Sequence, residues 1–251
     1  MISLKTADEI DAIARAGAIL AAMFDAITPE IRPGVSTADL DLFGENFIMS
    51  HDGAVPSFKG LYGFPASLCI SINHEVVHGI PSPTRILQEG DIVSVDGGVQ
   101  LDGWFADSAR TYGVGDTDAV SEVLMRVTQE ALQAGIAQAV AGNRLGDIGH
   151  AVQTVAETAG FTVVRDLVGH GIGREPHEEP QVPNFGKAGK GLVLQPGLVL
   201  AIEPMVNAGT QSVRTLPDRW TVVTLDKKRS AHFEHTVAIT ESGPKVLTLP
   251  A

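Results

Sequence analysis

One cysteine, no long apolar run and few positive charges: each shortage removes a class of protein. The single cysteine, Cys69, excludes an internal disulfide framework and fits a reducing compartment, so the cytoplasm is the expected location. The longest apolar runs, such as residues 198–202, are of strand length, far short of the roughly 20 residues that cross a bilayer as a helix. The start MISLKTADEI lacks the basic segment and apolar stretch of a secretory signal. Only 18 Lys and Arg stand against 30 Asp and Glu, which argues against general nucleic-acid binding because phosphate contacts need clustered cations. The net charge of −12 also leaves composition unable to say which acids matter.

What is present suits a mixed α and β globule with a sizeable core: 44% apolar residues and 27 glycines. A helix is expected over about residues 7–28, with Thr6 and Glu9 as a capping box and Ile10, Ile13, Gly17, Leu20, Phe24 and Ile27 at steps of three and four. A second helix follows Ser36 and stops at Gly53. SLCISI, DIVSVDGGV and WFADSARTYGV read as strands, the last two joined as a hairpin through Leu101-Asp102-Gly103. The pattern then repeats, with helices at about 117–140 and 147–159. Strand-like runs follow at FTVVRDLV, LVLAIEPMV, WTVVTL and FEHTVAIT.

The two halves also match residue by residue. LQEGDIVSVDGGV (87–99) and LQPGLVLAIEPMV (194–206) align without gaps and put Asp96 on Glu203. VVHGIP (76–81) matches VGHGIG (168–173), so His78 falls on His170, while FADSART and FEHTVAI bring Asp107 near Glu234. Such self-similarity reads as one domain over 1–251, built from two copies of a unit (roughly 5–115 and 116–245) about a pseudo-twofold axis.

The aligned strands hold acids where strands normally hold apolar residues. A lone acid beside a strand is more often a surface or turn residue, but four at symmetry-related positions point elsewhere. A carboxylate in a buried strand is costly unless paired or bound to metal. If the halves close face to face, Asp96, Asp107, Glu203, Glu234 and His170 meet in one cavity, where four carboxylates cannot all stay ionised without cations. Two divalent metals would supply the charge. Oxygen ligands with one imidazole suit manganese, iron(II), cobalt or zinc.

From about residue 5 to 248 the chain resembles the type I methionine aminopeptidases, metallopeptidases of the pita-bread fold. The motifs that carry the resemblance are SINHEVVHGIP, DIVSVDGGV, DGWFADSART, GHGIGREPHEEP, LAIEPMVNAG and FEHTVAIT. It implies an α+β fold of two pseudo-twofold-related ααββ halves around a central antiparallel sheet. It implies, too, removal of the first methionine from nascent chains and peptides with a small second residue, by attack of a water or hydroxide bridging two metals. By position, Asp96 should chelate one metal, Asp107 and Glu234 should bridge both, and His170 and Glu203 should complete the second. Glu203 is also the expected general base, His177 the hydrogen-bond donor to the scissile carbonyl, and His78 the contact to the second residue's backbone nitrogen. Phe58, Leu61, Phe64, Cys69 and Trp220 match positions that line the methionine pocket; the other histidines, His232 included, read as surface or packing residues.

Several positions depart from the family pattern. Its pocket segment YHGYP is LYGFP here, which removes two aromatic or polar groups from the pocket mouth, and Pro176 replaces a large apolar residue before His177. A monomer is the family expectation. A ribosome contact is expected through the cluster Arg214, Arg219, Lys227, Lys228 and Arg229 in an otherwise acidic chain. The rivals are a proline-specific pita-bread aminopeptidase and a non-catalytic relative that binds protein or RNA. The first usually carries a separate N-terminal domain, for which this chain has no room; the second normally loses metal ligands, and all five are present.

Overall fold

Thr6 and Glu9 start the first helix as their spacing predicts. In the computed structural model, which describes residues 2–250 and leaves Met1 and Ala251 outside the described residues, the Thr6 N–H donates to the Glu9 carboxylate at 2.9 Å. The Glu9 N–H donates back to Thr6 Oγ1 at 3.4 Å. Helix α1 (Ala7–Ile27) buries all six of the periodic residues, then tightens into a 3₁₀ turn at Thr28–Glu30, where Pro29 has no N–H with which to continue the helix. Ser36 and Asp39 form the same reciprocal cap for α2 (Thr37–Met49). Strands β1 (Ala54–Pro56), β2 (Leu68–Ile72), β3 (Glu75–Val77), β4 (Ile92–Leu101) and β5 (Trp104–Gly113) complete the first half. The second half holds α3 (Ala119–Gln138), α4 (Leu145–Thr158), β6 (Thr162–Val163), β7 (Gly169–Gly171), β8 (Glu178–Val182), β9 (Val199–Ile202) and β10 (Met205–Asn207). It continues through β11 (Val213–Thr215), β12 (Val222–Thr224), β13 (Ser230–His232), β14 (Glu234–Thr240) and β15 (Gly243–Val246).

Nine strands from both halves form one antiparallel sheet, in the order β1-β4-β5-β14-β9-β7-β8 with β2 beside β4 and β15 beside β14. Helix α1 covers the first half of it, burying Leu20, Phe24 and Ile27 with Val93, Val95 and Val99. In the second half Ile136 and Ile148 pack against Leu200, Ile202 and Val237. The halves meet at the β5–β14 seam, where the backbone ladder holds only at Glu234↔Ala109 and His235↔Ser108. On either side, buried hydroxyls replace it. Thr236 Oγ1 accepts from the Asp107 N–H at 3.0 Å and donates to the Asp107 carbonyl at 2.8 Å. Thr111 Oγ1 does the same for His232, at 2.9 and 2.7 Å. Strands that splay to open a cavity thus keep their backbone polar groups satisfied.

Two of the expected strands are interrupted. LVLAIEPMV is β9 and β10, which lie in different sheets, because Pro204 has no N–H to offer a ladder. Opposite this break, residues 230–240 split at Phe233 into β13 and β14. FTVVRDLV pairs only over β6, whose partner β10 is itself three residues long.

Candidate active site

Strand register carries the acids to one face. Cys69 lies opposite Asp96, Asp96 opposite Ala109, and Ala109 opposite Glu234, a single row across β2, β4, β5 and β14. Residues paired across a sheet share a face, as do residues two apart in a strand, so Asp107 joins through Ala109. Asp107 does not face Asp96 directly, because its partner is Gly98; the two acids are diagonal neighbours. In the second half Ile202↔His235 and Met205↔His232 keep one register across the strand breaks, which sets Glu203 opposite Glu234. His170 pairs with Ala201, two residues before Glu203.

The result is one cavity of about 530 Å³. It is lined by all five expected ligands, by His78 and His177, and by Phe58, Leu61, Phe64, Cys69 and Trp220. The apolar members pack as a separate cluster at one side, with the Phe64 and Trp220 rings edge to face at 5.1 Å. Burial pushes the Cys69 thiol well up, so it stays a thiol among these rings and does not act as a nucleophile.

The repeated His-Gly pair has a steric reason. A Cβ on Gly79 would sit 2.2 Å from the Ile70 carbonyl oxygen, and one on Gly171 would sit 2.3 Å from that of Glu179. Each glycine lets a neighbouring backbone pass close behind its histidine. His170 Nδ1 lies 2.9 Å from the Gly171 carbonyl, which can only accept, so Nδ1 carries the proton and Nε2 offers a lone pair. That Nε2 is 3.6 Å from Glu203 and 3.9 Å from Asp107. His78 takes a left-handed backbone (φ +60°), a conformation rare for residues other than glycine.

The electrostatics are those of a site built for cations. Burial pushes the Asp96 carboxyl up to about 7. Burial first, then the neighbouring acids, pushes Asp107, Glu203 and Glu234 well above the usual carboxylate range. Asp96 Oδ1 and Asp107 Oδ1 are buried with no hydrogen-bond partner among the described residues, a costly state without a positive charge beside them. Ligand atoms of Asp107, His170 and Glu234 lie within 4.8 Å of one another, as a possible metal-binding cluster requires. Burial first, then the neighbouring His177 imidazole, lowers His78 and His170 to about 4, and burial lowers His177, so all three imidazoles are neutral near pH 7. The donor set therefore fits hard or borderline divalent cations.

Some residues at the site were not legible beforehand. His232, read as a surface or packing residue, is 1% exposed, and among the described residues neither ring nitrogen has a hydrogen-bond partner, with Nε2 3.7 Å from Glu203. Its place two residues before Glu234 was the missed signal, since alternation puts both on one face. Lys5 is buried and pairs with Glu178, next to His177, across 173 positions. Tyr62 stacks on His177, so the LYGFP segment keeps an aromatic, polar group at the pocket mouth. The basic cluster also needs a correction. Arg214, Arg219, Lys227 and Lys228 are exposed, but Arg229 is engaged by Asp118, the Ser121 hydroxyl and the Gly90 carbonyl and is not free for a partner.

Comparison with known proteins agrees with this geometry. The model of metallopeptidase family M24 matches residues 11–241. The methionine aminopeptidase of Clostridium perfringens is 55% identical over 249 residues, 99% of each chain. The crystal structure of the methionine aminopeptidase from Thermotoga maritima superposes with a TM-score of 0.97 at 45% identity, covering 99% of this chain and all of that one. A Xaa-Pro dipeptidase from Bacillus anthracis shares the fold alone, with a TM-score of 0.78 at 24% identity, and this chain spans 61% of its length. The architecture is the pita-bread fold, two related halves about a central antiparallel sheet, and no helix among the described residues is long and apolar enough to cross a membrane. With its acids and imidazole gathered into one cavity, the chain belongs to metallopeptidase family M24.

Proposed function

We propose that this protein removes the N-terminal methionine from nascent chains and peptides whose second residue is small. The observation that carries the reading is a single cavity joining three buried carboxylates, the partly buried Glu203 and one imidazole to an apolar pocket. Asp96, Asp107, His170, Glu203 and Glu234 would hold two divalent cations, of manganese, iron(II), cobalt or zinc. Such cations neutralise the carboxylates, lower the pKa of an attacking water toward ~7 and polarise the scissile carbonyl.

The chain's own groups do the rest. Phe58, Leu61, Phe64, Cys69 and Trp220 take the methionine side chain, an unbranched thioether that fills irregular apolar space. Glu203 receives a proton from the attacking water at its carboxylate and passes it to the leaving nitrogen. A neutral His177 donates a ring N–H to the carbonyl oxygen as negative charge gathers there. His78, held by its strained backbone beside Trp220, meets the backbone nitrogen of the second residue. Residues 1–251 act as one catalytic domain, a cytoplasmic monomer. The exposed cations Arg214, Arg219, Lys227 and Lys228 face the ribosome; co-sedimentation that survives reversal of Lys227 and Lys228 would refute this contact.

The test is release of free amino acid from Met-Ala-Ser, Met-Leu-Ser, Leu-Ala-Ser and Ala-Pro-Ser after chelation and add-back of each metal. Cleavage of Met-Ala-Ser alone, dependent on metal, is expected. Cleavage of Ala-Pro-Ser instead would move the enzyme to proline-specific chemistry, and no cleavage with any metal would overturn the catalytic reading.

A further inference from the structure

Tyr62 occupies a position where the backbone disfavours it. The turn Leu61–Gly63 is closed by the Gly63 N–H to the Gly60 carbonyl at 3.1 Å and the Phe64 N–H to the Leu61 carbonyl at 2.9 Å. Within it Tyr62 is left-handed (φ +50°, ψ +17°) between Gly60 and Gly63, which are left-handed as well. Glycine or asparagine suits such a site, whereas an aromatic side chain there stores strain. Tyr62 is 73% exposed, so packing into the core does not repay that strain. Its aromatic partner is His177, with the rings 5.7 Å apart and 19° from parallel, and its hydroxyl lies 3.4 Å from His177 Nδ1.

We infer that Tyr62 is a positioning residue which holds the His177 ring and selects its tautomer. A neutral imidazole carries one ring proton and can place it on either nitrogen. When the Tyr62 hydroxyl donates to Nδ1, that nitrogen is an acceptor and the proton belongs to Nε2. Nε2–H is then the group left to meet the carbonyl oxygen of a substrate. The stack constrains the plane of the ring, and the His170 ring, edge to face with it at 4.5 Å between centroids, constrains it further. A rigid turn with its strain placed beside the reacting centre is a recurrent device of active sites. The inference deepens the reading of His177 as the carbonyl's donor and rests on it.

The experiment uses the full chain loaded with manganese and three variants, Tyr62→Phe, Tyr62→Gly and His177→Ala, with Met-Ala-Ser as substrate. Tyr62→Phe keeps the ring and removes the hydroxyl. It should lower kcat about fivefold, the worth of one neutral hydrogen bond, and leave KM near its starting value. Tyr62→Gly also removes the stack while suiting the left-handed turn, so kcat should fall further without a drop in Tm. In the His177→Ala background Tyr62→Phe should have no further effect. A merely structural role would not predict that loss of effect. Independently of activity, nitrogen NMR of histidine-labelled protein should find His177 protonated at Nε2 in the parent and as a mixture of tautomers in Tyr62→Phe. An unchanged kcat and an unchanged tautomer in Tyr62→Phe, with His177→Ala strongly impaired, would overturn the role of Tyr62 alone. An unimpaired His177→Ala would instead remove the reading of His177 on which it rests.

Discussion

Thr236 is one of two threonines whose hydroxyls join the halves, and replacing it by valine should be disproportionately costly. The substitution conserves shape but swaps a hydroxyl for a methyl. The hydroxyl accepts from the Asp107 N–H at 3.0 Å and donates to the Asp107 carbonyl at 2.8 Å, and Thr236 is completely buried. Thr236→Val therefore strands one buried donor and one buried acceptor, each costing about 1–3 kcal/mol. Partial relaxation of the seam brings the expected total to roughly 2–4 kcal/mol, or a fall in Tm on the order of 5–15 °C for a chain of this size. A methyl also needs more room than a hydrogen-bonded oxygen, so it pushes Asp107 away from β14 and should weaken metal binding. Thr236→Ser keeps both bonds and loses one buried methyl, about 1 kcal/mol. The assay is thermal and denaturant unfolding of the three proteins in chelator, since bound metal would stabilise the folded state and mask the difference. If Thr236→Val costs less than Thr236→Ser, the hydroxyl is not what closes the seam and the reasoning fails.

The metal-free protein should lose stability as pH rises above about 6.5. Asp96, raised to about 7, and Asp107, Glu203 and Glu234, raised well above the usual carboxylate range, all have folded pKa values above their unfolded ones, so their contribution is present at low pH and lost as pH climbs through the folded values. His78 and His170, lowered to about 4, act oppositely, but only below their unfolded value of ~6.5. Above it the carboxylates act alone. Tm measured in chelator should decline over that range and flatten on adding manganese; a rising Tm in chelator would contradict the buried-acid account. Lys5→Met should leave Glu178 a partly buried charge without its partner, destabilise the protein by roughly 3 kcal/mol and disturb the loop that carries His177. Adding Glu178→Gln should recover much of that loss in urea unfolding, and no recovery would deny the pair its role.

Much of the frame was legible because its signals are local. The capping box at Thr6, the three-and-four spacing of α1, the helix start after Ser36 and the Asp102-Gly103 turn act through residues a few positions apart, and each appears where the sequence predicts. The internal repeat extended this reach, since matching Asp96 to Glu203 and His78 to His170 correlates positions about a hundred residues apart. Acids inside apolar strands were readable for the same elementary reason, that burying a carboxylate needs a compensating charge.

The chain by itself thus determined its helices, its hairpin, its doubled plan and the five candidate metal ligands that meet in the cavity. Only the tertiary structure decided how they meet. The diagonal placement of Asp96 and Asp107 depends on a register that a two-residue turn sets, and the strand breaks at Pro204 and Phe233 on which sheet each fragment joins. Tyr62 against His177, Lys5 against Glu178 and Arg229 against Asp118 are pairs more than a hundred residues apart with no repeat to announce them. Their physical reason is the same in each case: a side chain's charge or ring is written in the sequence, but its partner is chosen by the packing of distant elements, after the local signals have been spent.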